Sequence, residues 1–216
     1  MSLLRVQKVI SNTEIAPNAY LLKFARDFDF YAGQVIGISL DPGQEPRLYS
    51  IASGVDMPEV WILYTINPEG LLTPQLQHLG PGDELYITGV FGNFLCREQE
   101  AVWIATGTGI APFASMFFSG QGEGKILIQG NREQSGLYLR EYFEDSMPER
   151  YFGCCSRRRA DTCFHGRVTD FVQQWEGLKT NIPYYLCGSA EMVVDVRDLL
   201  IERGVPFENI MAEIFF

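Results

Sequence analysis

No apolar run in the sequence approaches the roughly 18 residues that a membrane-crossing helix needs. The opening stretch "MSLLRVQKVIS" lacks the charged start, long apolar core and small-residue cleavage site of a secretory signal. These two absences lead to the expectation of a cytoplasmic chain with no membrane partner. Basic charge is also scarce: 17 Lys and Arg face 27 Asp and Glu, for a formal net charge of -10. Such a chain repels phosphate backbones and anionic surfaces, which argues against a nucleic-acid partner. The five cysteines (Cys96, Cys154, Cys155, Cys163 and Cys187) are odd in number and irregularly spaced, so no disulfide framework is expected. Cys154, Cys155, Cys163 and His165 match no zinc-ligand spacing, so no metal is expected. The clustered cysteines of an iron–sulfur protein are missing. Internal repeats and low-complexity tracts are absent as well.

What is present falls into two rhythms. The first half carries short alternating runs, "LRVQKVIS", "AYLLKFA", "QVIGISL", "RLYSIAS", "EVWILYTI" and "ELYITGV", separated by "FYAGQ", "LDPGQEP" and "LGPGDE". Strands at that spacing predict an antiparallel barrel or sandwich. One short helix is expected at 71–79. In the second half, the apolar strands "AVWIA", "KILIQG", "RYFGCCS" and "PYYLCG" alternate with the helical stretches "TGTGIAPFASMFF", "LYLREYFEDS", "GRVTDFVQQW" and "AEMVVDVRDLLIERG". Alternating strands and helices predict a parallel sheet covered on both faces. The rhythm changes at "LCREQE", which places a boundary between a barrel domain at 1–97 and an α/β domain at 98–216.

In open α/β sheets, ligands bind outside the carboxyl ends of the strands. "TGTGIAP" (106–112) leaves a buried strand and opens a helix there, so its glycines let backbone approach a ligand and its N–H groups suit an anion. It is neither GxGxxG nor a Walker A loop, and a turn that uses Gly for geometry alone remains open. "CGSAEM" repeats the strand-to-helix arrangement at Cys187, which could equally be a small core hydrophobe. Three adjacent cations, Arg157, Arg158 and Arg159, suggest a site for a compact anion in an otherwise acidic chain, or a solvated surface cluster. "MAEIFF" ends the sequence in two aromatics, ordered either against a flat ligand or as a last strand in the sheet.

"RLYS", "GTGIAPF", "CGSAEM" and "AEIFF", in this order, resemble the ferredoxin/flavodoxin–NADP reductase family, most closely its bacterial members ending in Ala-Glu-x-aromatic-aromatic. "FYAGQ", "GLLTPQL" and "SRRRADTCFHGRV" fall where that family has corresponding segments, so the resemblance covers essentially the whole chain. It implies a flavin-binding β-barrel followed by a Rossmann-like NADP-binding domain, with FAD and NADP(H) as cofactors. On this resemblance Arg47 clamps the flavin pyrophosphate, Leu48 is a further flavin-binding residue, Tyr49 lies flat against one face of the ring, and Ser50 stands near flavin N5. Gly70, Leu71, Leu72 and Thr73 offer donors to the pyrophosphate, and Phe215 or Phe216 covers the second ring face. Thr106, Gly107, Thr108 and Gly109, with Gly188 and Met192, hold the nicotinamide dinucleotide. Cys187 and Glu213 line the nicotinamide pocket beside Ser50, and these three are the implied catalytic residues. Ser156 and Arg157 grip the 2′-phosphate, with Arg132 and Arg167 as further candidates. Ser-Arg-Arg stands here where the family usually has Ser-Arg-Glu, which favours NADPH. The implied reaction exchanges hydride between NADP(H) and flavin, and single electrons with a transiently bound ferredoxin or flavodoxin, on a monomer. A reductase of free flavin or ferric chelates, and a non-catalytic nucleotide-binding module, are the other readings.

Overall fold

The structure, a computed structural model, describes residues 4–157 and 162–215. The chain divides into two compact units, Met1–Leu95 with Ala111–Ser119, and Cys96–Ile110 with Gly120–Phe216.

The first unit contains strands β1 (Arg5–Ala16), β2 (Ala19–Ala25), β3 (Val35–Ser39), β4 (Arg47–Ser50), β5 (Glu59–Thr65) and β6 (Glu84–Ile87). They pair antiparallel in the order β4-β3-β6-β1-β2-β5. The two end strands also meet: Ile51, just past β4, bridges Ile62 on β5, and the Ala52 N–H donates to the Trp61 carbonyl at 2.8 Å. This bridge closes the sheet into a barrel and leaves neither edge open at that point, which removes the edge-strand hazard. The β1–β2 hairpin turns through Pro17 and Asn18, and Asn18 takes φ 60°, a left-handed conformation that Asn tolerates better than most residues. Inward positions fill the barrel with Leu22, Phe24, Ile36, Ile38, Ile51 and Ile62, all fully buried. Tyr64 donates its hydroxyl to Asn12 Oδ1 (3.1 Å), and Asn12 Nδ2 donates to the Leu76 carbonyl (2.7 Å), tying the short helix α1 (Thr73–Leu76) to the barrel.

Helix α1 is shorter than the periodicity of 71–79 predicts. Pro74 suits a first turn, but Gly80-Pro81-Gly82 follows within one further turn and cannot extend it. Helix α2 (Ala111–Met116) is buried along its whole length and packs in the first unit. Ser115 donates its hydroxyl to the Ser53 carbonyl at 2.7 Å, and the Phe113 ring meets Phe94 edge-on at 5.7 Å.

The second unit is a six-stranded parallel sheet, ordered β10-β9-β8-β7-β11-β12, with β7 (Ala101–Thr106), β8 (Lys125–Asn131), β9 (Tyr151–Cys155), β10 (Phe164–His165), β11 (Tyr184–Ser189) and β12 (Ile210–Phe215). Helices α3 (Arg140–Ser146), α4 (Val168–Gln174) and α5 (Ala190–Glu202) lie among them in sequence. Every residue of β7 from Ala101 to Ala105 is buried, as an apolar strand covered on both faces requires. The chain runs outward from β7 through β8, β9 and β10, then returns to the other side of β7 for β11 and β12. This reversal makes a topological switch point between β7 and β11. Strand β10 has only two residues, too few to show a period in the sequence. Helix α3 starts at Arg140 rather than at 137, because Leu139 sits at φ 60° and interrupts helical geometry. Helix α5 is capped by Ser189, whose hydroxyl accepts from the Met192 N–H, and is followed by Gly204 at φ 88°. Among the described residues, no helix is long and apolar enough to cross a membrane.

Ile62 packs in the barrel interior beside the closing bridge. Ile62→Ala is expected to destabilise the first unit by about 2–5 kcal/mol, the range for deleting a buried branched side chain. Urea unfolding followed by tryptophan fluorescence checks this through Trp61 on the same strand.

Candidate functional site

The carboxyl ends of β7, β8, β9 and β11 surround a cavity of about 430 Å³. Thr106 and Gly107 enter it from the exit of β7, Asn131 and Arg132 from β8, and Ser156 from β9. Arg167 and Val168 contribute from the start of α4, and Ser189, Glu191 and Met192 from the start of α5. A parallel sheet aligns its strand exits at one edge, so residues far apart in sequence meet there. The lining combines hydroxyls, an amide, two guanidiniums (Arg132 and Arg167) and two carboxylates (Glu191 and Asp195) with apolar patches, which is the make-up of a small-ligand site.

Two glycines shape this edge by close backbone approach. A Cβ on Gly109 would collide with the Cys187 carbonyl oxygen and come 2.8 Å from Gly188 Cα. A Cβ on Gly188 would collide with Thr106 Oγ1 and come 2.7 Å from Met192 Cε. The turn after β7 and the exit of β11 can therefore touch only because both positions lack side chains.

The strand extensions pin the cavity rim. Ser156 donates its N–H to the Asn131 carbonyl (3.1 Å), and Arg157 donates to the Arg132 carbonyl (2.9 Å). These bonds continue the β8–β9 ladder beyond the strands. Arg157 is exposed at this rim and is not among the cavity-lining residues. Arg167 precedes α4, where its N–H donates to Asp170 Oδ2 (2.7 Å), and its guanidinium pairs with Glu191 at 3.3 Å. Both partners of that pair are largely exposed, so it contributes little to stability, but it balances charge at the cavity mouth.

Strand β12 pairs with β11 in parallel, with Cys187 opposite Glu213, Gly188 opposite Ile214 and Ser189 opposite Phe215. Cys187 is fully buried. Burial pushes its thiol well above the usual range, and the Glu213 carboxylate adds to the shift. Glu213 is partly buried.

In the first unit, Arg47, Leu48, Tyr49 and Ser50 all lie on β4, paired in turn with Ile38, Gly37, Ile36 and Val35. Arg47 and Leu48 are exposed, Tyr49 is half-buried and Ser50 is buried. Side chains alternate along a strand, so Arg47 and Tyr49 share a face. Burial raises the Tyr49 hydroxyl to about 12, and the Arg47 charge opposes the rise. The Gly70 N–H donates to the Asn67 carbonyl (2.9 Å), and Thr73 Oγ1 accepts from the Asn67 N–H (2.8 Å). Thr73 therefore closes its own loop, with Leu71 exposed at the tip and Leu72 buried beneath it.

The structure thus gathers Thr106, Gly107, Arg132, Ser156, Arg167 and Met192 around one cavity, with Thr108 and Gly109 in the adjoining turn. It places Arg47 to Ser50 and Gly70 to Thr73 in the other unit. Phe216, Arg158 and Arg159 lie outside the described residues. Sequence reasoning missed Asn131, Thr169, Ser189, Glu191 and Asp195 in the lining. The "GNRE" segment directly after a strand was the available signal for Asn131. The others enter from the end of β11 and the first two turns of α4 and α5, where only the fold brings them to the sheet edge.

The raised thiols carry a consequence for stability. Cys154, like Cys187, is fully buried, and burial with two neighbouring cysteines pushes its thiol up from 9.0. A group whose folded pKa is raised contributes stability that is complete below its unfolded value and lost as pH climbs towards the folded one. The unfolding free energy from urea curves is expected to show no loss from these thiols well below pH 9.0 and to fall above it, by up to about 1.4 kcal/mol per pH unit for each thiol. Denaturation curves between neutral and alkaline pH check this, and Cys154→Ala should flatten the slope.

A family profile described as "Oxidoreductase NAD-binding domain" matches residues 103–198, from within β7 into α5. Reductase component 1 of terephthalate 1,2-dioxygenase from Comamonas is 31% identical, over 96% of this chain and 67% of that protein. The phenol hydroxylase P5 protein of Acinetobacter pittii is 29% identical, and this chain spans 60% of its length. Ferredoxin–NADP reductase of Pseudomonas aeruginosa is 33% identical, over 99% of this chain and 95% of that protein. Among solved structures, a ferredoxin NADP+ reductase from Neisseria gonorrhoeae with bound FAD and NADP superposes at a TM-score of 0.90, with 19% identity and full coverage of both chains. At that identity the likeness is one of fold. A relative at 33% identity along nearly the whole of both sequences settles the kinship: the chain belongs to the ferredoxin–NADP reductase family of oxidoreductases.

Proposed function

We propose that this protein is an FAD-dependent NADPH oxidoreductase that exchanges single electrons with ferredoxin or flavodoxin. The observation that carries the reading is the cavity at the sheet's carboxyl edge, walled by the glycine-rich exit of β7 and rimmed by Ser156, Arg132 and Arg167. Its donors fit an anionic nucleotide. Thr106 and Gly107 would receive the pyrophosphate and ribose, with Thr108, Gly109, Gly188 and Met192 shaping the wall. Ser156, Arg132 and Arg167 would face the 2′-phosphate, and Arg157 would reach it from the rim. A guanidinium suits that role because it binds phosphate through a bidentate, always-charged fork. Glu191 offsets Arg167, which leaves Arg132 and Arg157 as the stronger phosphate donors.

In the first unit, β4 offers a set of groups that fits a flavin. Arg47 would neutralise the pyrophosphate, Tyr49 would lie along the ring, and Ser50 would donate a hydrogen bond to it. The loop at Gly70 to Thr73 would supply backbone N–H donors, since the Thr73 hydroxyl is already engaged with Asn67. The flavin, when bound, supplies the conversion between hydride and single-electron chemistry. Cys187 and Glu213 would orient the nicotinamide. The Cys187 thiol is fully buried and burial raises it, so it stays protonated at neutral pH and adds no charge there.

The named relatives include a ferredoxin–NADP reductase and the reductase component of a dioxygenase. Both kinds support a protein as the electron partner, in preference to free flavin or ferric chelates. The proposed working form is a monomer in the cytoplasm.

Anaerobic stopped-flow mixing with NADPH and NADH tests the reading. Rapid loss of the oxidised-flavin band with NADPH, and much slower loss with NADH, is expected. Arg157→Ala should lower kcat/KM for NADPH by about 10- to 100-fold, the equivalent of one charge-assisted contact, and leave NADH nearly unchanged. Equal bleaching by both nucleotides would remove the 2′-phosphate assignment. No bleaching with flavin supplied would remove the oxidoreductase assignment.

A further inference from the structure

Cys155 is the last residue of β9, and Cys163 is the residue before β10. Their sulfurs lie 2.7 Å apart, with the Cys155 S–H donating to Cys163 Sγ. The pair is built into the sheet. β10 runs parallel to β9 with Phe164 opposite Cys154 and His165 opposite Cys155, and the Gly166 N–H donates to the Cys155 carbonyl at 3.0 Å. Alternation along β9 turns Cys154 towards the apolar core with Val168 and Val172, and turns Gly153 and Cys155 the other way. Cys163 lies over Gly153, on the same face as Cys155: a Cβ built on Gly153 would stand 3.7 Å from Cys163 Cβ, an ordinary contact distance. Cys155 is fully buried, whereas Cys163 is partly exposed.

We propose that Cys155 and Cys163 form a reversible dithiol–disulfide site whose oxidation ties the end of β9 to the chain entering β10 and alters nucleotide binding at Ser156. The two thiols have separate parts in the exchange. Cys163 is the one reachable from solvent, so its sulfur gives up its proton and attacks one sulfur of a small disulfide such as oxidised glutathione. The old S–S bond breaks, one small thiol leaves, and a mixed disulfide forms on Cys163. Cys155 then gives up its proton and attacks the Cys163 sulfur. The protein S–S bond forms and the second small thiol leaves. Two protein thiols are oxidised and one small disulfide is reduced to two thiols, so atoms and electrons balance. Burial and the bond to Cys163 hold the Cys155 proton firmly, with the thiol raised to about 12, which keeps Cys155 from reacting first.

Ser156, which lines the cavity, follows Cys155 directly, and its backbone is pinned to Asn131. A covalent tie at Cys155 constrains the donor that the proposed 2′-phosphate site uses. This second half of the inference rests on the nucleotide reading given above; the disulfide itself does not.

The test equilibrates the holoprotein with oxidised and reduced glutathione at graded ratios, alkylates free thiols and maps tryptic peptides. Trypsin cuts after Arg157, so a Cys155–Cys163 disulfide joins two otherwise separate peptides, lighter by two hydrogens, and fragmentation distinguishes Cys155 from Cys154. Such a product, reversed by dithiothreitol and absent in Cys163→Ser, is expected. Five alkylated thiols throughout, a stable glutathione adduct on Cys163, or an intermolecular disulfide would overturn the site. Titration of both redox forms with 2′-phosphoadenosine 5′-phosphate should show a change in Kd of at least about threefold, a coupling within the usual allosteric range. Equal affinity in the two forms would overturn the coupling and leave the disulfide standing. Failure of that probe to bind either form would instead count against the 2′-phosphate site, with the disulfide judged by the peptide map alone.

Discussion

The candidate site depends on a contact between two stretches of backbone. Gly109, in the turn after β7, lies against the Cys187 carbonyl at the exit of β11, and Gly188 lies against Thr106 in return. Neither position has space for a Cβ, so the two strand exits meet without side chains between them. This contact occurs at the switch point of the parallel sheet, where the chain has gone out from β7 in one direction and come back on the other side. A crevice at such a point is a product of topology, and the glycines determine how close its walls stand. The polar residues gathered there, Thr106, Asn131, Ser156 and Ser189, inherit their positions from it.

Each unit satisfies its backbone in its own way. The barrel brings its end strands together through the Ile51–Ile62 bridge, so that short antiparallel strands share one buried interior. The parallel sheet buries its central strand on both faces, and its polar groups collect at the carboxyl edge. In both units the chemically interesting residues occupy the ends of strands, where side chains leave the core but remain held by the ladder. Arg47 to Ser50 are a whole short strand of this kind, and Ser156 and Arg157 extend another by two backbone hydrogen bonds.

The cysteines show how one residue type takes on different roles by position. Cys187 and Cys154 are buried and held protonated, and act as small apolar side chains with a weak donor. Cys155 and Cys163 differ only in that β10 returns beside β9 and brings the second thiol over Gly153. The spacing "CCSRRRADTC" matches no metal or disulfide signature, and the sequence reading accordingly treated these thiols as separate.

The sequence by itself determined the element types, their order and the nature of the two halves. Alternating and continuous apolar runs are local patterns, set by side-chain periods of two and 3.6 residues. It also disclosed the glycine turns and the exposed cations, because Gly and Arg carry their meaning in their own chemistry. Only the tertiary structure decided which strand exits face one cavity, that Glu191 takes up part of the Arg167 charge, that Thr73 spends its hydroxyl on Asn67, and that the helix at 111–116 packs with the barrel. Apart from the Thr73–Asn67 bond, which closes a loop six residues long, these facts depend on pairing between segments distant in the chain. Such pairings follow from sheet order and register, which no local period encodes.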